Sequence, residues 1–116
     1  QPALFTEVDA TMRVAREEIF GPVATVTRVK DFDEALHTAN ATEFGLAAGI
    51  CTTSLRHATH FKRHAQAGIV KVNQATSGLD YHLPFGGRKA SSYGPREQGR
   101  YAVDFYTVVK TAYTSV

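Results

Sequence analysis

The feature that most constrains this chain is the change of hydrophobic period, twice, between residues 45 and 73. Gly45-Leu46-Ala47-Ala48-Gly49-Ile50-Cys51-Thr52 is a short, nearly continuous apolar run, as expected for a strand covered on both faces. It gives way to Leu55, Ala58, Phe61 and Ala65, which fall at helical spacing between Leu55 and Gln66. Ser54 is placed to cap that amphipathic helix and Gly68 to terminate it. Gly68-Ile69-Val70-Lys71-Val72-Asn73 then returns to strand composition. The same alternation stands upstream, where the Val- and Thr-rich stretch Val23 to Val29 precedes Asp31, Asp33 and the helix-like Glu34 to Ala39. Strands alternating with helices point to an α/β fold with a mainly parallel sheet and flanking helices.

Downstream the pattern stops. Gly78, Pro84, Gly86, Gly87, Gly94 and Pro95 punctuate the segment from Asn73 to Pro95 too densely for a regular element, so an ordered loop is expected. Arg96 to Tyr106 reads as a helix with Pro95 at its start. Thr107 to Val116 has the Thr, Val and Tyr content of a strand, and an exposed terminal strand invites pairing with another chain. The organisation expected is a main unit over residues 1–106 followed by an oligomerisation strand over 107–116, with a homo-oligomer as the assembly.

A length of 116 residues with 43% hydrophobic content allows one modest core, and is too short for a complete two-domain cofactor enzyme. The 13 basic and 11 acidic residues are interspersed, with no block of like charge to track phosphates, so neither nucleic acid nor an acidic membrane is expected as a partner. One cysteine excludes an internal disulfide and fits a reducing compartment, and a cytoplasmic address is the expectation. No apolar run approaches the length of a membrane span, and Gln1 to Glu7 lack the features of a signal peptide. The start at Gln1, without a methionine, suggests a cleaved or truncated chain.

Candidate chemistry begins at Glu17-Glu18-Ile19-Phe20-Gly21-Pro22. Adjacent residues cannot share one face of a strand, and the plain reading makes both carboxylates surface charges before a turn. The stretch also resembles a motif of the aldehyde dehydrogenases, and the resemblance continues in order through Glu43 to Gly49, Gly68 to Asn73, Pro84-Phe85-Gly86-Gly87 and Arg96-Glu97-Gln98-Gly99. It covers nearly the whole chain, as the C-terminal portion of that family's catalytic domain. The resemblance implies oxidation of an aldehyde to a carboxylate with NAD or NADP. It gives Glu18 the ribose hydroxyls of the nicotinamide half and Phe20 a place beside the ring. A carboxylate offers acceptors suited to a vicinal diol, and a flat apolar ring limits where nicotinamide sits.

By the same resemblance the loop from Asn73 to Phe85 forms part of the aldehyde pocket, with Leu79, Tyr81 and Phe85 as lining residues. Packing that holds the loop down is the equal alternative for Tyr81 and Phe85, and packing or surface is preferred for His82. The stretch from Gly78 to Glu97, with Ser92 where glycine is usual and Pro95 before Arg96-Glu97, is similar to the branch that oxidises 2-ketoglutarate semialdehyde. An acidic substrate would favour a nearby cation. Arg88 is one candidate, with a structural role preferred. The family's nucleophilic cysteine and general-base glutamate lie upstream of the Glu-x-Phe-Gly-Pro motif, so no catalytic residue is assigned here and the isolated chain is expected to be inactive.

Three further features take plain readings. Cys51 lies within the apolar run and is expected to be a buried, inert thiol. His57, His60 and His64 form a helical stripe among Arg56, Lys62 and Arg63, which reads as a solvated face rather than a metal site. Gly86-Gly87-Arg88-Lys89 lacks the spacing of a phosphate loop. The rival to the dehydrogenase reading is a stand-alone, non-catalytic α/β interaction or assembly domain.

Overall fold

Parallel strand pairing organises the chain, and the computed structural model describes all of residues 1–116. Strand β1 (Ala3–Phe5) pairs with β2 (Val23–Thr25), Ala3 opposite Val23 and Phe5 opposite Thr25, with the one-turn helix α1 (Arg13–Arg16) in the connection. The ladder is shorter than the Val- and Thr-rich stretch because its partner turns away, Glu7 taking a φ of 55°. Val26 still donates to Phe5 O at 2.8 Å and accepts from Val8 N at 3.2 Å.

The second sheet pairs β3 (Ala47–Ile50) with β4 (Ile69–Val72), and α3 (Leu55–His64) is the crossover between them. The strands thus form two separate two-stranded sheets, all pairing parallel. Ser54 caps α3 as expected, its Oγ accepting from His57 N at 3.2 Å. Helix α2 (Phe32–Asn40) opens on Asp31, whose Oδ1 accepts from Glu34 N at 2.9 Å. Glu34 reaches back to accept from Lys30 N at 2.8 Å, which ties the residue before the cap to the first turn.

Helices α2 and α3 cover one face of the β3–β4 sheet. Leu36, Phe61 and Ala65 are buried there, with Phe32, Ala48, Ile50 and Val70 packed against them. Burial of a side chain such as Phe61 contributes about 1.5–3 kcal/mol, and truncating it to alanine costs about 3–5 kcal/mol once the cavity is included. The opposite face is open at Ala47 and Gly49. The apolar run is therefore covered on one face rather than two, and Cys51 at its end is exposed, not buried.

This core is small for the chain. The radius of gyration is 18.5 Å, against about 13 Å for a compact domain of this length. Phe20, Tyr81, Tyr93, Val108, Val109 and Tyr113 are all largely exposed. The expected helix over residues 96–106 is replaced by shorter pieces. Phe85 and Glu97 form an antiparallel bridge, and Gln98 and Gly99 take φ values of 68° and 55°. Only then follow a 3-10 turn (Gly99–Tyr101) and helix α4 (Ala102–Tyr106). Pro95 therefore does not start a helix. Residues 107–116 are exposed and form no ladder within the chain. No helix is long and apolar enough to cross a membrane.

Candidate functional site

Glu18 and Phe20 follow helix α1 on the segment leading into β2. Arg13 and Glu17, four residues apart, face each other across the single turn of α1. Arg13 Nε and Nη2 donate to the two Glu17 carboxylate oxygens at 2.9 and 2.8 Å. That pair holds the Glu17 carboxyl below the ordinary carboxylate range and raises the Arg13 guanidinium, through their shared hydrogen bonds. The other ion pair of the chain joins Arg28 to Glu7. Glu18 is left exposed and outside both pairs.

Phe20 is 92% exposed, and its backbone has a φ of 56°. For a bulky residue that left-handed conformation costs about 1–2 kcal/mol. Gly21 and Pro22 then return the chain to β2, Ala3 N donating to Pro22 O at 2.9 Å. Apolar surface is thus held out in a strained turn two residues from an unpaired carboxylate. The chemistry of these two residues fits a nicotinamide riboside: Glu18 offers acceptors without donors, and Phe20 offers a free ring face.

A groove of about 540 Å3 runs beside this segment, lined by Glu17, Glu18, Asn40, Leu46, Gln66 and Ser91 among others. Phe20, Leu79, Tyr81 and Phe85 do not line it. Of the two motif residues, Glu18 borders the groove. The loop residues form a second locality.

That second locality is built by close backbone approach. A Cβ on Gly68 would stand 1.9 Å from Gly86 O, so no side chain fits there. Gly68 therefore serves loop packing rather than helix termination; α3 ends at His64, with Ala65 extended. Gly45 O accepts from both Gly68 N and Arg88 N at 2.9 Å. Ser91 Oγ accepts from Gly45 N at 2.9 Å, and Ser92 Oγ accepts from Gly87 N at 2.6 Å. The serine that departs from the commoner family pattern is thus built into the loop's support. Arg96 Nη1 donates to Gly87 O and fills the space beside Gly86.

Phe85 is half-buried and held by Glu97, Phe85 N donating to Glu97 O at 2.7 Å and Glu97 N to Phe85 O at 2.9 Å. Tyr81 is 85% exposed, edge-on to His82, and its carbonyl accepts from Gly99 N at 3.2 Å. The segment from Arg96 to Gly99 thus ties Tyr81 and Phe85 together, while Leu79 is half-buried. Arg88 is exposed, and Lys89 Nζ donates to Asn40 O and Thr42 O at 2.7 and 2.9 Å, a cation at the C-terminal end of α2.

His57 stacks on Phe32 with ring centroids 4.4 Å apart, and His60 stacks on His64 at 4.2 Å. His57 is half-buried and the other two are exposed. Sequence reasoning missed three supports: Lys71, Asn73 and Arg96. Asn73 had a readable signal, being an asparagine just past a strand; it takes a φ of 54°. Its side chain accepts from Thr52 N at 2.8 Å and donates to Thr52 O at 2.9 Å, extending the β3–β4 ladder.

The chain matches known proteins over nearly its whole length. Residues 1–112 match the model of the Aldehyde dehydrogenase family. The chain is 50% identical over 116 residues to the alpha-ketoglutarate semialdehyde dehydrogenase of Haloferax volcanii, covering 99% of this chain and 24% of that protein. It is 42% identical over 114 residues to the 2,5-dioxopentanoate dehydrogenase of Saccharolobus solfataricus, covering 97% and 24%. Among solved structures, an NAD-dependent aldehyde dehydrogenase from Sinorhizobium meliloti superposes with a TM-score of 0.82 at 46% identity, over 89% of this chain and 20% of that one. The parallel α/β scaffold is one shared with solved aldehyde dehydrogenases. The chain belongs to the aldehyde dehydrogenase family, and it spans about a quarter of the length of the curated relatives it matches.

Proposed function

We propose that this chain serves as the C-terminal part of an NAD- or NADP-dependent dehydrogenase that oxidises 2-ketoglutarate semialdehyde to the dicarboxylate. One observation carries the cofactor assignment: an unpaired carboxylate at Glu18 stands two residues from a ring held outward in a left-handed turn at Phe20. Glu18 accepts hydrogen bonds from the ribose diol and fixes the sugar, and Phe20 limits the positions open to the attached ring. When bound, the nicotinamide supplies the hydride acceptor. The substrate assignment draws on the 50% and 42% identities to two enzymes named for that semialdehyde or its synonym.

Leu79, Tyr81 and Phe85 form one wall of the aldehyde pocket, with the backbone of Arg96 to Gly99 behind two of them. The nucleophilic cysteine and general base belong to the region preceding this one, so the chain alone is inactive. Residues 1–106 belong to the catalytic domain. Thr107 to Val116 is the oligomerisation strand and pairs with a second protomer, which supplies the ladder partners the chain itself lacks. The assembled enzyme works in the cytoplasm.

The test is an assay of the full-length protein with 2-ketoglutarate semialdehyde and with unrelated aldehydes, each with NAD and with NADP. Higher kcat/KM for the semialdehyde is the expected result. No oxidation of any aldehyde overturns the dehydrogenase reading, and a preference for an uncharged aldehyde overturns the substrate.

A further inference from the structure

The β3–β4 sheet has two faces, and only one is taken by helices. Ala48, Ile50 and Val70 pack into the core beneath α2 and α3. Strand alternation sends Gly49 and Lys71 to the other face, where they are direct register partners. The loop after β4 turns back across this pair. A Cβ on Gly49 would stand 3.0 Å from Thr76 Cγ2 and 4.0 Å from Gln74 O, so the loop lies on the open backbone of that glycine. From the neighbouring strand, Lys71 Nζ donates to Ser77 O at 2.8 Å and to Gly78 O. Steric clearance and a charged clamp therefore meet at one register pair, and the next residue of the loop is Leu79.

Between Gln74 and Leu79 no other hydrogen bond ties the segment to the rest of the chain. From Asn73 to Pro84, Leu79 is the one residue that is not exposed, and Gly78 takes a φ of 75°. Hydrogen bonds from an ammonium to carbonyl oxygens are stronger than neutral ones and impose no directional fork, which suits a clamp on two successive carbonyls.

We propose that Lys71, seated beside Gly49, is a positioning residue that sets the wall of the aldehyde pocket by clamping the loop at Ser77 and Gly78. Lys71 itself touches neither substrate nor cofactor. The pocket's dimensions are thereby fixed from the sheet, one residue ahead of Leu79 and three ahead of Tyr81. The proposal rests on the reading of Leu79 and Tyr81 as substrate-lining residues.

The experiment is steady-state kinetics of the full-length enzyme and its variants, with aldehyde and cofactor varied separately. Lys71→Met keeps the stem and removes the charge. It should raise the KM for aldehyde about tenfold, leaving kcat and the KM for cofactor within about twofold, because the lost bonds act on substrate seating alone. Lys71→Arg should recover most of that loss. Gly49→Val, which keeps strand propensity while lifting Thr76, should reproduce the aldehyde effect by a steric route, and it carries the test if Lys71→Met does not fold.

An unchanged KM for aldehyde in the variants, or equal loss in all parameters with no rescue by arginine, overturns the clamp. An unmodified enzyme that oxidises no aldehyde overturns the dehydrogenase reading instead, and with it the pocket that the clamp serves. Hydrogen exchange separates the two failures. Faster exchange confined to residues 74–83 in Lys71→Met supports the clamp, and unchanged exchange counts against it.

Discussion

Asn40 closes the end of helix α3 at His64, 24 residues further along the chain: its Nδ2 donates to His64 O at 3.0 Å, and its Oδ1 accepts from Gln66 N at 2.8 Å. The last residue of α2 thus satisfies backbone groups that α3 leaves open. Asn40→Ala should destabilise the α2–α3 unit by about 1–2 kcal/mol, from two hydrogen bonds lost. Asn40→Asp, which keeps the acceptor alone, should fall between. Hydrogen exchange at the Gln66 amide reports this directly, and equal protection in all three proteins would contradict it.

Glu18→Gln in the full-length enzyme should weaken cofactor binding by no more than about a hundredfold, the worth of one charged acceptor. The larger effect falls on hydride transfer, which should become limiting, so the isotope effect with deuterated aldehyde should rise on turnover. Glu17→Gln is the control, because Glu17 is committed to Arg13. Equal behaviour of the two variants would remove the assignment.

Phe20→Gly separates strain from function. Glycine relieves a left-handed φ costing about 1–2 kcal/mol and adds about 0.5–1 kcal/mol of unfolded-state entropy, so the variant should be neutral or stabilised by about 1 kcal/mol. Turnover should nevertheless fall, by about tenfold or more, as the nicotinamide loses its lateral limit. A destabilised variant with normal turnover would show that the ring serves packing instead.

The Arg13–Glu17 contact has a defined pH window. Glu17's carboxyl is depressed below its ordinary value of 4.5 by hydrogen bonds from Arg13. A depressed carboxyl stabilises the folded form above the ordinary value, and that contribution disappears as pH falls through the lowered one. Carbon-detected titration of Glu17 should give a midpoint below 4.5, and Arg13→Ala should return it to the ordinary range. A midpoint unmoved by Arg13→Ala would show that the contact is absent in solution.

Cys51 in the isolated chain should react with Ellman's reagent as fast as the same thiol in denaturant, because it is exposed at the end of β3. A slow, protected thiol would show that the open face of the sheet is covered in solution.

Local signals were readable where local chemistry decides. Ser54 was legible as a helix start, and Asp31 as one of two candidates beside Asp33, because a short oxygen-bearing side chain before an apolar period is itself the mechanism of capping. The parallel β3–α3–β4 unit followed from the change of period at Leu55 and Ile69. Three readings failed where distant chain decides. An apolar run reports that a strand has something to bury, not how many faces are covered, and so Cys51 was misplaced. Arg96 to Glu97 had helical composition, but the bridge to Phe85 drew it into extended backbone. Gly68 looked like a helix terminator, and only the approach of Gly86 reveals why a side chain is excluded there. At the candidate site, Glu18 and Phe20 were legible as a motif. The strained φ of Phe20 and the commitment of Glu17 to Arg13 were not, since both depend on geometry that residue types do not encode.

The loop from Asn73 to Gly86 is fastened to the sheet at both ends by main-chain contacts, to Ile50 at one end and beside Gly68 at the other. Neither fastening depends on what lies between. Lengthening a flexible segment between fixed ends is cheap, about 0.6 kcal/mol for each doubling. With Lys71 holding Ser77 and Gly78 in between, the freedom falls to the residues beyond that clamp: side chains from Leu79 to Pro84 can change without re-solving the fold, and a scaffold so arranged can alter its preferred aldehyde by editing a few residues and leaving the sheet as it was.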